Sequence, residues 1–135
     1  MPLLTPNTDM PFNIIGISHV VLTSRDLDAT RYFYESGLGL EVTFHDSERL
    51  TLRAIEEQGM FSLMFEKVAN DGPGTCRSVG YRMFTDDDLR RAHEWLQARG
   101  TDARFVERPF QGLTLQLIDP VGVPVEFCAS MDNKT

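Results

Sequence analysis

The stretch Asp119-Pro120-Val121-Gly122-Val123-Pro124-Val125-Glu126-Phe127, near the end of the chain, predicts a tight turn that leads into a strand. Asp-Pro and Gly are turn residues, and Pro124 cannot donate a hydrogen bond to a sheet. Alternation along the strand places apolar residues on one face, and Glu126 with Cys128 on the other. A buried carboxylate is costly unless it is paired or bound to a metal, so the surroundings of Glu126 are the central question.

Length and composition indicate one globular domain with a single core, since 135 residues contain 41% hydrophobic and 24% charged side chains. The net charge of -7, from 13 basic and 20 acidic residues, argues against nucleic acid and anionic membranes as partners. No apolar run in the sequence approaches the length of a membrane span, and residues 1–11 have neither the basic nor the apolar region expected of a signal peptide. Cys76 and Cys128 lie too far apart for a metal or redox motif, so we expect a cytoplasmic protein with free thiols.

The first half of the chain predicts a strand, a helix and three further strands. The strand spans 14–23, and a helix at 26–36 begins at a cap on Ser24 or Asp26 and ends at Gly37. Three strands follow at 40–44, 49–55 and 61–67. The helix is expected to bury Leu27, Thr30, Phe33 and Tyr34.

The same order of elements recurs after a loop at 68–75. It comprises a strand at 77–84, a helix from the acidic run 85–88 to Arg99, and strands at 103–107, 113–118 and 123–129. The sequence therefore predicts an α+β fold made of two βαβββ units, at about 14–67 and 77–129. Together they form one domain at 14–132, preceded by a loose lead-in at 1–13. Each helix covers only one face of its unit's sheet. We therefore expect the uncovered faces to curve into a cup, which gives a cup-shaped mixed sheet with the helices on the outside.

Alternation also predicts which side chains face the cup. Phe61, Leu63 and Phe65 are expected to pack behind the fourth strand, on the helix side. The expected cup-facing residues are unusually polar for a core: His19, Met64, Ser78, Arg82, Gln116 and Glu126. These polar residues can be explained by structure as well as by function, because a histidine on a strand is commonly a core residue with its hydrogen bonds satisfied. In the structural interpretation Arg82, or otherwise Arg53 on the third strand, neutralises Glu126 as an ion pair.

Three segments of the chain resemble the vicinal oxygen chelate superfamily, which includes glyoxalases, bleomycin-resistance proteins and extradiol dioxygenases. They are Ile17-Ser18-His19-Val20-Val21-Leu22, the run from Asp26-Leu27 to Leu38-Gly39-Leu40, and the stretch 119–127 quoted above. With Leu52-Arg53-Ala54-Ile55-Glu56-Glu57, the chain is most similar to the N-terminal domain of extradiol ring-cleavage dioxygenases of the homoprotocatechuate 2,3-dioxygenase type. The resemblance covers about residues 14–132.

The resemblance implies a metal site, because catalytic extradiol enzymes hold Fe(II) or Mn(II) with two histidines and one glutamate. Such a triad leaves open positions for substrate and O2. His19 and Glu126 fall at the first and last ligand positions, whereas Ser78 falls at the middle one. Met64 falls at a fourth ligand position of glyoxalase-like members, and Gln116 at that of a proton-transferring tyrosine. Two ligands of three would hold the metal weakly.

The activity that the resemblance implies for a whole enzyme is oxygenative cleavage of a catechol, with this chain as an incomplete domain. Two alternatives remain: a small-molecule binding protein of the bleomycin-resistance type, and a glyoxalase-like metalloenzyme. A small aromatic or other small molecule is the expected ligand. The chain either associates as a homodimer, which would cover sheet edges and apolar surface, or lacks a C-terminal catalytic domain that would follow Thr135.

Overall fold

The computed structural model describes residues 10–69 and 74–134, which form one mixed sheet of eight strands with helices on its outer side. The strands are β1 Gly16–Ser24, β2 Glu41–His45, β3 Arg49–Arg53, β4 Leu63–Lys67, β5 Cys76–Arg82, β6 Arg104–Val106, β7 Thr114–Ile118 and β8 Pro124–Cys128. Helix α1 spans Leu27–Arg31 and continues as a π-helical turn at Tyr32–Gly37, and helix α2 spans Asp86–Ala98.

The strand order β2-β3-β4-β1-β5-β8-β7-β6 divides into two equivalent halves. In each half the first strand pairs in parallel with the last, β1 with β4 and β5 with β8, and the other pairs within the half are antiparallel. β1 and β5 pair with each other in antiparallel fashion at the centre of the sheet. The predicted α+β fold of two βαβββ units around an open cup is confirmed. Residues 1–9 of the predicted lead-in and 70–73 of the predicted loop lie outside the described residues.

The helices cover the outer face of each half with apolar side chains. Under α1, Leu27 packs with Leu50, Leu52 and Phe65. Under α2, Leu89 and Ala92 form a second buried cluster with Met83, which follows β5, and with Leu115 and Phe127 of β7 and β8. Burial of such side chains is the main stabilising contribution to the fold, at about 1.5–3 kcal/mol for each large one.

Helix α2 begins where the sequence predicts, at a capping box formed by Thr85 and Asp88. The Thr85 side chain accepts from the backbone N–H of Asp88, and the Asp88 side chain accepts from that of Thr85. The hydrogen bonds from Thr85 and Arg91 hold the pKa of the Asp88 carboxyl below its ordinary value, with the contact to Arg91 contributing most. These contacts fix the start of α2.

Two packing predictions in the first half are wrong. Phe33 was expected to be buried, but its side chain is 56% exposed, because the π-helical turn shifts this residue away from the inward side. Phe61 was expected behind β4. It precedes that strand, so alternation does not govern it, and it packs on the cup side with Val21 and Met64.

Candidate functional site

Four residues on four adjacent strands form one row across the floor of the cup. His19 on β1 lies opposite Gly80 on β5, Gly80 lies opposite Glu126 on β8, and Glu126 lies opposite Gln116 on β7. Directly opposed residues project to the same face of a sheet, so this row follows from strand register. His19 and Glu126 are 1% and 0% exposed. The structure therefore brings together the two predicted ligand residues in the core.

Gly80 makes the contact between His19 and Glu126 possible, although one strand separates them. A methyl group built on Gly80 would overlap the imidazole ring of His19. Because glycine has no side chain, the ring lies over β5 and reaches β8. His19 Nε2 then lies 3.3 Å from Glu126 Oε1.

The Glu126 carboxylate receives hydrogen bonds at both of its oxygens. Oε1 interacts with His19 and accepts from the Ser78 hydroxyl at 3.4 Å. Oε2 accepts from Arg108 Nε at 2.6 Å and from Gln116 Nε2 at 3.4 Å. A carboxylate offers about four acceptor positions, and here four side-chain donors surround it. The buried charge is thus compensated within the chain.

The imidazole of His19 is itself held at its second nitrogen. Nδ1 lies 2.9 Å from Ser18 Oγ, and the Phe61 ring packs against the imidazole with 5.0 Å between ring centroids. An ionised carboxylate can only accept, so Nε2 donates to Glu126. In a neutral ring Nδ1 then accepts from Ser18, whose Oγ also lies 3.7 Å from Cys128 Sγ.

Burial, hydrogen bonds and nearby charges shift the pKa values of two groups in this cluster, Glu126 and Cys128. Burial alone would raise the pKa of Glu126, but the hydrogen bonds from His19 and Arg108, together with the charge of Arg108, outweigh burial and lower it. Burial raises the pKa of the Cys128 thiol, against a smaller effect of the Ser18 hydroxyl. Glu126 is therefore an ionised carboxylate near neutral pH, and Cys128 is a protonated thiol.

The segment 107–112 between β6 and β7 carries Arg108 to the cup. Phe110 within it has φ of 66°, a left-handed conformation uncommon outside glycine. Its ring packs against Phe44 and Phe61, with centroids 5.2 and 6.4 Å apart, and its carbonyl accepts from the backbone N–H of Asp132. These contacts hold the segment in place. Strand alternation cannot identify Arg108, because the residue lies outside any strand.

The prediction that Arg82 or Arg53 neutralises Glu126 is wrong. Arg53 pairs with Glu41, at 3.0 Å between Nε and Oε2, and donates to backbone carbonyls of the following loop. Arg82 lines a groove of about 650 Å³ at the other end of β5. Of the other predicted cup residues, Met64 is 3% exposed and packs beside Val21. Ser78 and Gln116 contact Glu126, as described above.

Comparison with known protein families identifies the superfamily of this chain. A model described as the Glyoxalase/Bleomycin resistance protein/Dioxygenase superfamily matches residues 16–127. The chain belongs to this superfamily. No curated protein matches the chain.

Solved structures with the same fold include extradiol dioxygenases. An extradiol ring-cleaving dioxygenase from B. fuscum has a TM-score of 0.82 and 26% identity over 95% of this chain and 36% of its own. Homoprotocatechuate 2,3-dioxygenase from Brevibacterium fuscum, in complex with 3,4-dihydroxyphenylacetate, has a TM-score of 0.81 and 27% identity over 95% of this chain and 40% of its own. The Arthrobacter globiformis enzyme, at 24% identity and a TM-score of 0.81, shares the fold. The predicted resemblance to this type of enzyme is confirmed, and the chain spans 36–40% of these proteins.

The superfamily and these neighbours suggest a divalent metal such as Fe(II), but the side chains in this cup do not fit one. Within residues 10–69 and 74–134, no three His, Cys, Asp or Glu side chains are grouped to hold a metal ion. Ser78 supplies a neutral hydroxyl at the implied middle position, and a guanidinium already contacts Glu126 Oε2. A cation adjacent to the carboxylate repels a second cation.

The described part of the chain also contains no helix long and apolar enough to cross a membrane. A cytoplasmic location stays a prediction.

Proposed function

We propose that this chain is a metal-free, structural counterpart of the N-terminal domain of an extradiol ring-cleavage dioxygenase. The observation that carries the proposal is the Glu126 carboxylate, which is fully buried and forms an ion pair with the Arg108 guanidinium. Similarity over 95% of this chain but only 36–40% of the extradiol enzymes supports its assignment to one part of a larger architecture. Cleavage of a catecholic ring would then need a catalytic domain that this cup does not supply.

The chemistry of ring cleavage explains why this cup would be inactive. A facial triad on a non-haem iron leaves adjacent positions for the organic substrate and O2. Here His19, Ser78, Arg108 and Gln116 surround the only carboxylate of the row. Gln116, at the position where the resemblance implies a proton-transferring tyrosine, has an amide that neither gives nor takes a proton near neutral pH. A glyoxalase-like metal site is disfavoured on the same grounds, because its further ligand positions hold Ser78 and Met64.

Oxygen uptake tests the proposal. The purified chain is incubated with Fe(II) under anaerobic conditions, then mixed with oxygenated buffer and 3,4-dihydroxyphenylacetate, the ligand of the Brevibacterium fuscum complex. We expect no uptake above that of the same Fe(II) solution without protein. Turnover of about one per second, at the low end of typical enzyme rates, would overturn the proposal, provided that Glu126→Gln removes it.

We also propose that the chain associates with a second copy of itself. Large apolar side chains are exposed near the start of β1 and the end of β5, including Ile14 at 49%, Ile17 at 72% and Phe84 at 70%. Ile15 N–H donates to the Arg82 carbonyl, so these two chain segments lie side by side. Exposed apolar patches of this kind mark contact surfaces. Light scattering at micromolar concentration should give about twice the chain mass of 15.3 kDa, and a persistent single-chain mass would contradict association.

A further inference from the structure

A cavity at the mouth of the cup adjoins the Glu126 cluster and shares Ser78, Arg108 and Gln116 with it. This cavity, hereafter the mouth cavity, has a volume of about 430 Å³ and lies between the start of β3, the start of β5, the start of β8 and the segment 107–112. Three arginines line it: Arg49 on β3, Arg77 on β5 and Arg108. A concentration of guanidinium groups is unexpected by chance in a chain whose net charge is -7.

The guanidinium of Arg49 has unmet hydrogen-bonding capacity. Its Nε is buried and has no hydrogen-bond partner among the described residues. Leaving a buried donor of a charged group unpaired is costly, and native structures avoid it unless a ligand, ion or water satisfies the group. Arg108 uses Nε for Glu126 and Nη1 for the Glu107 carbonyl, whereas Nη2 has no partner within the described ranges.

Two carboxylates line the mouth cavity, those of Glu66 and Glu107, but neither forms an ion pair with Arg49 or Arg77. Glu66 lies opposite Arg49 in the β3–β4 register, and Glu107 lies at the exposed rim. In the part of the chain that the structure describes, no carboxylate oxygen lies within 4.0 Å of the side-chain nitrogens of Arg49 or Arg77. Arg108 is paired with Glu126, so Arg49 and Arg77 are the two lining arginines that have no carboxylate partner among the described residues.

Apolar side chains form the rest of the wall. Val21 and Met64, which are 5% and 3% exposed, lie on the cup floor beside Pro124 and Pro109. Ligand pockets typically enclose about 300–1,000 Å³ and combine apolar walls with a few convergent polar groups. The mouth cavity has this composition and size.

We propose that the mouth cavity binds a small organic carboxylate. Its carboxylate would face the guanidiniums of Arg49 and Arg108, which suit the planar, two-oxygen geometry of that group. Its apolar body would lie against Val21 and Met64. This binding site does not depend on the proposed dioxygenase lineage, because it requires neither a metal nor a second domain.

Calorimetric titration with benzoate and benzamide tests the proposal. The two probes share shape and size, but only benzoate carries a charge. We expect benzoate to bind at least about tenfold more tightly than benzamide at the same ionic strength, as for loss of a charge-assisted hydrogen bond. Equal affinity for the two probes, or no heat with benzoate at millimolar concentration, would overturn it.

Substitutions assign the binding to this cavity. Arg49→Gln should weaken benzoate binding by about tenfold or more, while Arg104→Gln, which removes an exposed arginine paired with Asp102, should leave it unchanged. Arg49→Lys, which keeps the positive charge but loses the planar two-donor geometry, serves as a second cavity variant if Arg49→Gln melts earlier than the wild type, and it should also weaken benzoate binding. Benzoate affinity that stays unchanged in both cavity variants, or that falls equally in Arg104→Gln, would refute the assignment.

Discussion

Replacing Glu126 by glutamine removes one negative charge from the centre of the cup and changes little else in volume. Glutamine retains one carbonyl oxygen, which can still accept from Arg108. Its amide nitrogen then faces His19 Nε2 and Ser78 Oγ, which donate in the wild type and would have to accept in the variant, by a change of tautomer and a rotation of the hydroxyl. The substitution therefore replaces the ion pair with Arg108 by a hydrogen bond to a neutral amide, and it disturbs the hydrogen bonds of His19 and Ser78.

The expected loss follows from the burial of the two partners. Breaking a fully buried pair by removing one charge costs about 3–5 kcal/mol. The Arg108 side chain is 37% exposed, however, so water can compensate part of its lost partner, whereas Glu126 is fully buried. We expect Glu126→Gln to lower the free energy of unfolding by about 2 kcal/mol, between the cost of one unpaired donor and that of a buried pair.

Urea denaturation measures this change. With a slope of about 2 kcal/mol per molar urea, the midpoint should fall by roughly 1 M. Arg108→Met combined with Glu126→Gln should recover much of the loss, because no cation is then left without its partner. Glu41→Gln, which breaks the more exposed pair with Arg53, is the matched control and should shift the midpoint much less.

The effect should also depend on pH. Because the folded chain lowers the pKa of Glu126, the ionised carboxylate stabilises the fold above its unfolded pKa, near 4.3 for an exposed glutamate. That stabilisation is lost as the pH falls through the lower folded value. The stability difference between wild type and Glu126→Gln should be full at pH 7 and should shrink below about pH 4. A difference that is absent at pH 7, or that does not change in acid, would refute the ion-pair reasoning.

Two further predictions test the surroundings of His19. Gly80→Ala should lower the free energy of unfolding, measured in urea, by about 1–3 kcal/mol, because the new methyl group overlaps the His19 ring. Gly16→Ala, where the new methyl group has nothing within 4 Å, should leave the stability unchanged, and equal effects of the two substitutions would contradict the role of Gly80. A thiol reagent should label the exposed Cys76 in the native chain and leave the buried Cys128 unreacted until urea is added, and rapid labelling of both thiols would show that the cup floor is open to solvent.

The sequence predicted the strands and the inward side chains well, because period-two alternation is a direct consequence of strand geometry. His19, Ser78, Gln116 and Glu126 face the cup as expected, since each lies within a regular strand with well-defined register. The order of elements also predicted the two-unit fold.

The partner of Glu126 could not be predicted in this way. Arg108 reaches it from a loop whose path depends on the left-handed backbone of Phe110 and on aromatic packing with residues distant in sequence. Local patterns carry no information on such contacts. The exposure of Phe33 was missed for a related reason, since nothing in the helical periodicity indicates that α1 continues as a π-helical turn.

The metal affinity of the isolated cup is the most direct test of the central claim that Arg108, not a metal, neutralises Glu126. Anaerobic equilibrium dialysis against Fe(II) or Mn(II), followed by elemental analysis, gives the number of ions per chain and their dissociation constant. We expect a dissociation constant above about 1 mM, which corresponds to a binding free energy smaller than about 4.1 kcal/mol. One ion per chain, bound with a dissociation constant near 1 μM and lost in both His19→Ala and Glu126→Gln, would contradict the claim.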